Sequence, residues 1–286
     1  MNFPDIGFTY EYAKLFEHTA FGGELWWFDE YRFYKRPILG TPYFDITSPY
    51  GYAGPLPRAY APNIPKFCKW NDVIAEFARL HPFIENHKSL EPECVHQAGE
   101  VYYIDLTQPL QFDKGCKSAI KKARNEFIVD GNYNAYLFDE LYNRTMKRNH
   151  AGIEYYFGIT FFNQLGQLNG VKMFTAFADK RYAAAIIILK YGDYAHYFLA
   201  GSDENYRHLN PSNLLLSEAI NWAKEQGCKI FNLGGGKDES HASFKRSFTK
   251  LSKPFYVYKK IHNAEVYEKL SAGIKTDWFP AYRSVK

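Results

Sequence analysis

Cysteine is scarce in this sequence, and its four copies lie far apart. There is no CxxC pair and no spacing typical of zinc ligands, so the sequence indicates neither a disulfide framework nor a zinc finger. Such isolated cysteines are typical of free thiols in a reducing compartment or of small buried apolar residues. They are Cys68, Cys94, Cys116 and Cys228.

Other signatures of metal and nucleotide chemistry are also missing. The 9 histidines include no HxH or HExxH pattern, so we expect no metal site. The sequence contains no GxGxxG run and no Gly-Lys-Ser/Thr after its glycines, which excludes the common nucleotide fingerprints.

Long apolar runs and blocks of like charge are absent as well. The longest apolar run, residues 183–189, is far too short to span a bilayer. The N-terminus lacks a basic start followed by an apolar run, so no signal peptide is predicted. The net charge of +4 is mild; it permits an anionic substrate but gives no reason to expect DNA as a partner. We therefore expect a cytoplasmic protein whose contact with membranes is at most transient and at the surface.

Aromatic residues are abundant, at 19% of the chain, and include 24 Tyr and 24 Phe. Many tyrosines favour strands and polar pockets, because Tyr buries a ring and keeps a polar tip. Two aromatic runs around Asp29 and Glu30 predict a β-hairpin. The stretch NDVIAEFARLH, residues 71–81, predicts a helix that Asn71 caps. A strand, VYYIDL, and a basic amphipathic helix, GCKSAIKKARNE, follow it.

The second part of the chain, from about residue 131, has a distinct order of elements. Two helices precede three strands joined by short turns at Asp179–Arg181 and Gly192–Asp193, which predicts an antiparallel meander. A helix follows, with Asn210 at its cap and Pro211 at its first position. Gly227 ends this helix, and the apolar strand CKIFNL then runs into three glycines.

This order resembles the core of the GNAT N-acyltransferase fold. In GNAT enzymes the loop between the fourth strand and its helix is usually rich in glycine, and its N–H groups hold the coenzyme A pyrophosphate. The corresponding loop here, GSDENYRHLNPSN (Gly201–Asn213), has no interior glycine. The resemblance therefore implies an acyl-CoA donor such as acetyl-CoA, but with an altered cradle at Tyr206, Arg207 and Asn213. An equal alternative to donor binding is that the loop only caps the helix, through Asn210 and Ser212.

Four stretches resemble the Fem-type transferases, which attach amino acids to peptidoglycan precursors, and their GNAT-like relatives. The stretches are SPYGYAGPL (Ser48–Leu56), SAIKKARN (Ser118–Asn125), KIFNLGGG (Lys229–Gly236) and SFKRSF (Ser243–Phe248). The resemblance implies an α/β fold with a mixed sheet and two tandem GNAT-like halves, 1–130 and 131–286, packed around a shared cleft. It also implies that the last residues return to the first half.

The same resemblance implies a site around the Phe244–Lys245 pair, which matches the acyl-transfer centre of the family. A fixed cation aimed at a tetrahedral oxyanion lowers the barrier to acyl transfer. The bland alternative is a solvated lysine on a helix surface. Gly234, Gly235 and Gly236 follow a strand, where backbone can approach a ligand closely, although an exit turn or bulge explains one glycine equally well.

In the first half, Tyr50, Tyr52 and Gly54 match the strand end that lines the acceptor cleft of the family. Ala53 stands where many relatives have Arg, which weakens the case for a nucleotide-sugar acceptor bound as in the Fem prototypes. An edge strand ending in a Gly-Pro turn is the alternative.

Two further features carry a weaker signal. The basic helix has one cationic face. A solvated surface is the common explanation for such a face, and the functional alternative is binding of a tRNA acceptor stem or an anionic precursor. Its basic residues are Lys117, Lys121, Lys122 and Arg124. His241 lies near the Lys245 motif, as either a base or a surface histidine.

These observations favour an N-acyltransferase that forms an amide on an amine of an envelope precursor, such as an amino sugar or a stem peptide. The acceptor would be a small or lipid-linked molecule whose amine attacks the acyl donor directly, without a covalent enzyme intermediate. A Fem-like peptidyltransferase that uses aminoacyl-tRNA, adding an amino acid to a peptidoglycan precursor, is the first alternative, although no coiled-coil arm is present. A non-catalytic binding module of the same fold is the second.

Overall fold

The chain divides into two compact units. A computed structural model describes residues 3–28, 30–56, 63–178, 181–236 and 238–284. Unit 1 comprises Met1–Gly99 and Pro254–Lys286, and unit 2 comprises Glu100–Lys253. The units are defined by contacts, whereas the halves 1–130 and 131–286 are defined by a resemblance, and that division stays a prediction.

Unit 1 is built on a mixed sheet. Its strands are β1 (Glu24–Phe28), β2 (Tyr31–Pro37), β3 (Phe44–Thr47), β4 (Val73–Arg79) and β11 (Ser252–Ile261), the last of which enters the unit at Pro254. Its helices are α1 (Tyr10–Phe16), α2 (Asn63–Trp70) and α8 (Ala264–Ser271). The strand order is β1-β2-β3-β4-β11, with β3 and β4 parallel and the other pairs antiparallel. The β1–β2 pairing confirms the predicted hairpin, although its turn residue Asp29 lies outside the described residues.

The predicted helix over residues 71–81 is wrong, because this segment forms strand β4. Consecutive residues of this strand are buried between β3 and β11, so both of its faces are covered, and a short, mostly apolar run does not distinguish a strand from a buried helix. Asn71 belongs to the end of α2 instead, where its side-chain amide donates to the Phe67 carbonyl oxygen over 3.0 Å.

The C-terminal segment of unit 1 returns to strand β3 through a buried ion pair. Asp45 is fully buried, and its Oδ1 accepts a hydrogen bond from Arg36 Nε over 2.8 Å. Arg283 Nε donates to the other carboxylate oxygen, Oδ2, over 2.7 Å, and Arg283 also donates to the Pro37 carbonyl oxygen. A buried carboxylate needs such partners, so Asp45 anchors the segment that carries Arg283.

Unit 2 combines strands in a mixed arrangement with helices. Its strands are β5 (Val95–Asp105, in this unit from Glu100), β6 (Ile128–Asp130), β7 (Val171–Ala178), β8 (Arg181–Tyr191), β9 (Tyr194–Ser202) and β10 (Ile230–Gly235). Its helices are α3 (Lys114–Glu126), α4 (Ala135–Arg148), α5 (Gly158–Leu165), α6 (Pro211–Glu225) and α7 (Glu239–Arg246). The strand order is β5-β10-β9-β8-β7-β6. The antiparallel β7-β8-β9 pairing confirms the predicted meander, while Asp179 and Lys180 of its first turn lie outside the described residues.

Helix α6 holds the core of unit 2 together. Leu215, Leu216, Ala219 and Ile220 are fully buried, and they pack against the meander and helix α3. Strand β10 pairs in parallel with β9 and antiparallel with β5. This arrangement fixes the end of β10, where the three glycines begin, and confirms the predicted α/β class.

Candidate functional site

Strand β10 ends in a bulge that precedes the glycine run. The register against β5 shifts between Asn232 and Gly234. The Asn232 side chain accepts a hydrogen bond from the Gly234 N–H over 2.8 Å, and Gly234 has a φ of 71°, which favours glycine. The bulge is therefore one physical reason for a glycine here.

Gly236 has a different reason, which is close packing against helix α7. A Cβ on Gly236 would lie 2.8 Å from the Ala242 Cβ and 3.0 Å from the Ala242 backbone N. The absence of a side chain thus lets the chain leave β10 directly beneath α7. Asp238 caps that helix by accepting the His241 N–H over 2.9 Å.

Lys245 lies on the buried side of α7, at 9% exposure, and not on a solvated helix surface. Its Nζ donates a hydrogen bond to the Gly235 carbonyl oxygen at the end of β10. The structure therefore brings together two of the predicted site residues, Lys245 and Gly235.

Burial sets the electrostatic environment of the Lys245 ammonium. Within the described part of the chain it forms no ion pair with a carboxylate, and burial lowers its pKa to about 8. An ammonium has three N–H donors, of which Gly235 takes one. A desolvated cation with donors to spare can stabilise a negative charge that develops on a bound substrate.

The side chains next to Lys245 on α7 make mostly structural contacts. Phe244 packs on Phe248, with ring centroids 5.4 Å apart, and belongs to the edge of the core. Arg246 donates to the Tyr102 hydroxyl on β5 over 3.1 Å and pairs with Glu239. His241 is exposed, and its Nδ1 lies 2.8 Å from Asp238 Oδ1. Substrate contacts of Phe244 stay a prediction.

The N-terminus of α6 offers few donors to an anion. Pro211 has no N–H, and the N–H groups of Asn213 and Leu214 both donate to the Asn210 carbonyl oxygen, over 3.1 and 3.5 Å. Asn210 takes the cap position in the left-handed region, but its side chain makes no capping bond. Among the described residues, only the Ser212 N–H of the first turn is left without a hydrogen bond.

Helix α3 also lies against this end of α6. The Asn213 amide donates to Cys116 Sγ over 3.9 Å, and the Tyr206 ring meets Phe127 edge-on at 6.1 Å. Arg207 is exposed. The three predicted cofactor residues thus lie near the start of α6. Asn213 contacts α3, and Tyr206 contacts the residue that caps α3 at its C-terminus. Their role in holding a donor stays a prediction.

Tyr50, Tyr52 and Gly54 lie in unit 1. The Tyr50 carbonyl oxygen accepts from the Tyr12 hydroxyl over 2.8 Å, and Tyr52 packs edge-on against Phe255 at 5.7 Å. Gly54 has a φ of 84°, which explains the glycine by backbone conformation. Their place in an acceptor site stays a prediction.

One group of potential metal ligands lies within unit 1. The ligand atoms of Cys68, Glu76 and His262 lie within 4.8 Å of one another. The Glu76 carboxylate already accepts from the Tyr31 hydroxyl over 3.1 Å and lies 3.0 Å from His262 Nε2. Burial raises the pKa of the Cys68 thiol, which opposes the thiolate that a metal needs. Glu76 therefore belongs to a hydrogen-bonded cluster with Tyr31 and His262 beside Cys68, and the predicted lack of a metal stays a prediction.

The sequence alone does not single out Asn232 or Arg246. Asn232 stabilises the bulge, and Arg246 binds the Tyr102 hydroxyl on β5. A polar residue at the end of the apolar run CKIFNL is the signal for Asn232. The partner of Arg246 comes from β5, some 144 residues earlier, and no local pattern indicates it.

The chain resembles known proteins in one domain and in its overall fold. Residues 130–246 match the family described as acetyltransferase (GNAT) domain. No curated protein matches the sequence. The structure of FemX is similar at a TM-score of 0.66 and 11% identity, covering 84% of this chain and 86% of that one.

Two further structures share the fold as well. The structure of L-PGS from Bacillus licheniformis has a TM-score of 0.59 at 12% identity, covering 90% of this chain and 93% of that one. The C-terminal domain of a putative lysylphosphatidylglycerol synthetase from Agrobacterium fabrum has a TM-score of 0.55 at 12% identity, covering 85% and 84%.

The described helices include none with the length and apolar character to cross a membrane. The matched domain and the shared fold agree with the resemblance that the sequence motifs indicate. The chain therefore contains a region that matches the GNAT acetyltransferase domain, and it shares the fold of FemX and L-PGS.

Proposed function

We propose that this protein transfers an acyl group to an amine of a cell-envelope precursor and that Lys245 stabilises the transition state. The observation that carries the proposal is the buried Lys245 ammonium, which has no counterion among the described residues and holds only the Gly235 carbonyl oxygen. The acceptor belongs to the class of amino sugars and stem peptides, as the Fem-type resemblance implies.

The reaction needs few protein groups. The lone pair of the acceptor nitrogen forms a bond to the carbonyl carbon of the donor ester or thioester, and the carbonyl electrons move to oxygen. The resulting oxyanion accepts a hydrogen bond from a remaining N–H of Lys245. The oxyanion then collapses, the bond to the leaving oxygen or sulfur breaks, and the leaving group takes the proton that the nitrogen releases.

The start of α6 favours an aminoacyl ester over coenzyme A as the donor. A pyrophosphate held in the usual GNAT manner needs several free N–H groups at a helix N-terminus. Here the described residues leave one, at Ser212, and α3 covers part of that turn. Acetyl-CoA stays a prediction, and aminoacyl-tRNA is the donor that this geometry supports better.

The test is transfer of a labelled acyl group from acetyl-CoA or from charged total tRNA to a lysine-containing stem peptide or an amino sugar. Lys245→Met keeps the apolar stem and removes the charge, and it should lower turnover by about 10²–10³-fold. Lys250→Met is the matched control, because Lys250 is exposed and pairs with Asp113. Undiminished turnover of Lys245→Met would remove Lys245 from the mechanism.

Thermal protection by each donor distinguishes the two donors from each other. Combined with the transfer assay, it also distinguishes an enzyme from a non-catalytic binding module. A ligand that binds only the native protein raises its melting temperature. Protection by charged tRNA together with label transfer supports the aminoacyl route, and protection by acetyl-CoA together with transfer supports the small-acyl route. Protection without any transfer would identify a binding module.

A further inference from the structure

Helix α3 carries the entire net charge of the protein. It contains five basic residues and one acidic residue, Glu126. The other 30 basic and 30 acidic residues of the chain balance, so the formal net charge of +4 belongs to these 13 residues. The five are Lys114, Lys117, Lys121, Lys122 and Arg124.

Three of these five basic residues face a cavity between α3 and α6 within unit 2. Lys117, Lys121 and Arg124 are spaced by four and three residues, so they follow one face of α3. Ser217 and Asn221 are spaced by four on α6 and line the opposite wall. The cavity has a volume of about 300 Å³, at the lower end of the range for small-molecule sites.

The cations at this cavity are only partly neutralised. Arg124 pairs with Glu218. Within the described ranges Lys117 and Lys121 form no ion pair. Two like charges one turn apart repel each other, so an anion between them removes an unfavourable interaction as well as adding a favourable one.

We infer that the α3–α6 cavity binds a phosphate group of a nucleotide-bearing ligand. The lysines supply charge, and Asn221 and Ser217 supply neutral hydrogen-bonding groups that fit phosphate oxygens. Phe112 and Ile120 add an apolar surface on which a ring can pack. A free nucleotide and the backbone of RNA share this chemistry, and the binding experiment distinguishes them.

The experiment measures binding of fluorescent adenosine 3′,5′-bisphosphate and of a single-stranded RNA oligonucleotide to the full chain at several salt concentrations. The Lys117→Glu/Lys121→Glu double variant should bind about tenfold or more weakly. It should also lower the slope of log K against log salt by about one per lysine. Both side chains are exposed, so circular dichroism should show an unchanged fold.

The matched control is Lys66→Glu/Lys69→Glu, which makes the same charge change on the exposed surface of α2. Bisphosphate binding lost only in the α3 variant supports the site with a free nucleotide as its ligand, and RNA binding lost only there supports it with RNA. The inference is overturned if neither probe binds, if unphosphorylated adenosine binds as tightly, or if both double variants weaken binding alike. It is independent of the proposed function, because binding here does not require Lys245: Lys245→Met should bind both probes normally.

Discussion

The Lys245 ammonium donates to the Gly235 carbonyl oxygen, so the buried cation of α7 is held by the last residue of β10. This contact joins the two sequence motifs that the Fem-type resemblance singles out in unit 2. It also explains how a lysine is tolerated on the buried side of a short helix, because one N–H finds a carbonyl partner. The remaining N–H donors are what the proposed function uses.

The protonation of Lys245 should shape the pH dependence of transfer. If the ammonium is the active form, turnover falls as pH rises through about 8, because burial lowers the Lys245 pKa to about that value. An arginine keeps its proton to a pKa above about 12, so Lys245→Arg should lose this descending limb. A wild-type rate that keeps rising through this pH would show that the neutral amine is the active form.

The same group should make stability depend on pH. The pKa of Lys245 is 10.5 when unperturbed and about 8 in the folded protein, so between these values the unfolded chain binds more protons. Stability therefore rises with pH across this window, and the cost of holding the charge is fully present below it. Relative to Lys245→Met, the wild type should gain roughly 2–3 kcal/mol between about pH 7 and about pH 10.

Urea unfolding of the two proteins at both pH values measures that difference. Comparing the proteins cancels groups that titrate in both. A constant difference would mean that Lys245 is solvated and that the buried-cation account of the site is wrong.

Local sequence patterns predict the hairpin, the meander and helix α6, because each depends on neighbouring residues. They fail at β4, where consecutive residues such as Val73 and Ile74 are both buried and one pairing partner, β11, comes from a distant part of the chain. They also cannot show that Lys245 is buried, since its burial depends on how α7 packs on β10. The basic face of α3 is visible in sequence, but its cavity is not, because Ser217 and Asn221 come from α6.

Gly236→Ala should disturb the site through α7. The added Cβ would come within 2.8–3.0 Å of Ala242, including its backbone, so the helix must shift. Overpacking of this kind costs about 1–3 kcal/mol, and displacement of Lys245 should lower turnover. Gly115→Ala is the control, because its Cβ meets nothing within 4 Å. Unfolding curves and turnover check both variants, and equal behaviour of the two would contradict the packing argument.

Arg283→Ala should destabilise unit 1, because the buried Asp45 carboxylate would lose its Oδ2 partner and the Pro37 carbonyl oxygen a donor. The expected loss is about 2–3 kcal/mol, below the roughly 3–5 kcal/mol typical of breaking a buried pair, since Arg36 stays on Oδ1. Lys275→Ala, an exposed change in the same segment, should leave stability within about 0.5 kcal/mol. Urea midpoints at an unchanged m-value measure both effects. A midpoint for Arg283→Ala that matches the wild type would show that the C-terminal segment is not anchored through Asp45.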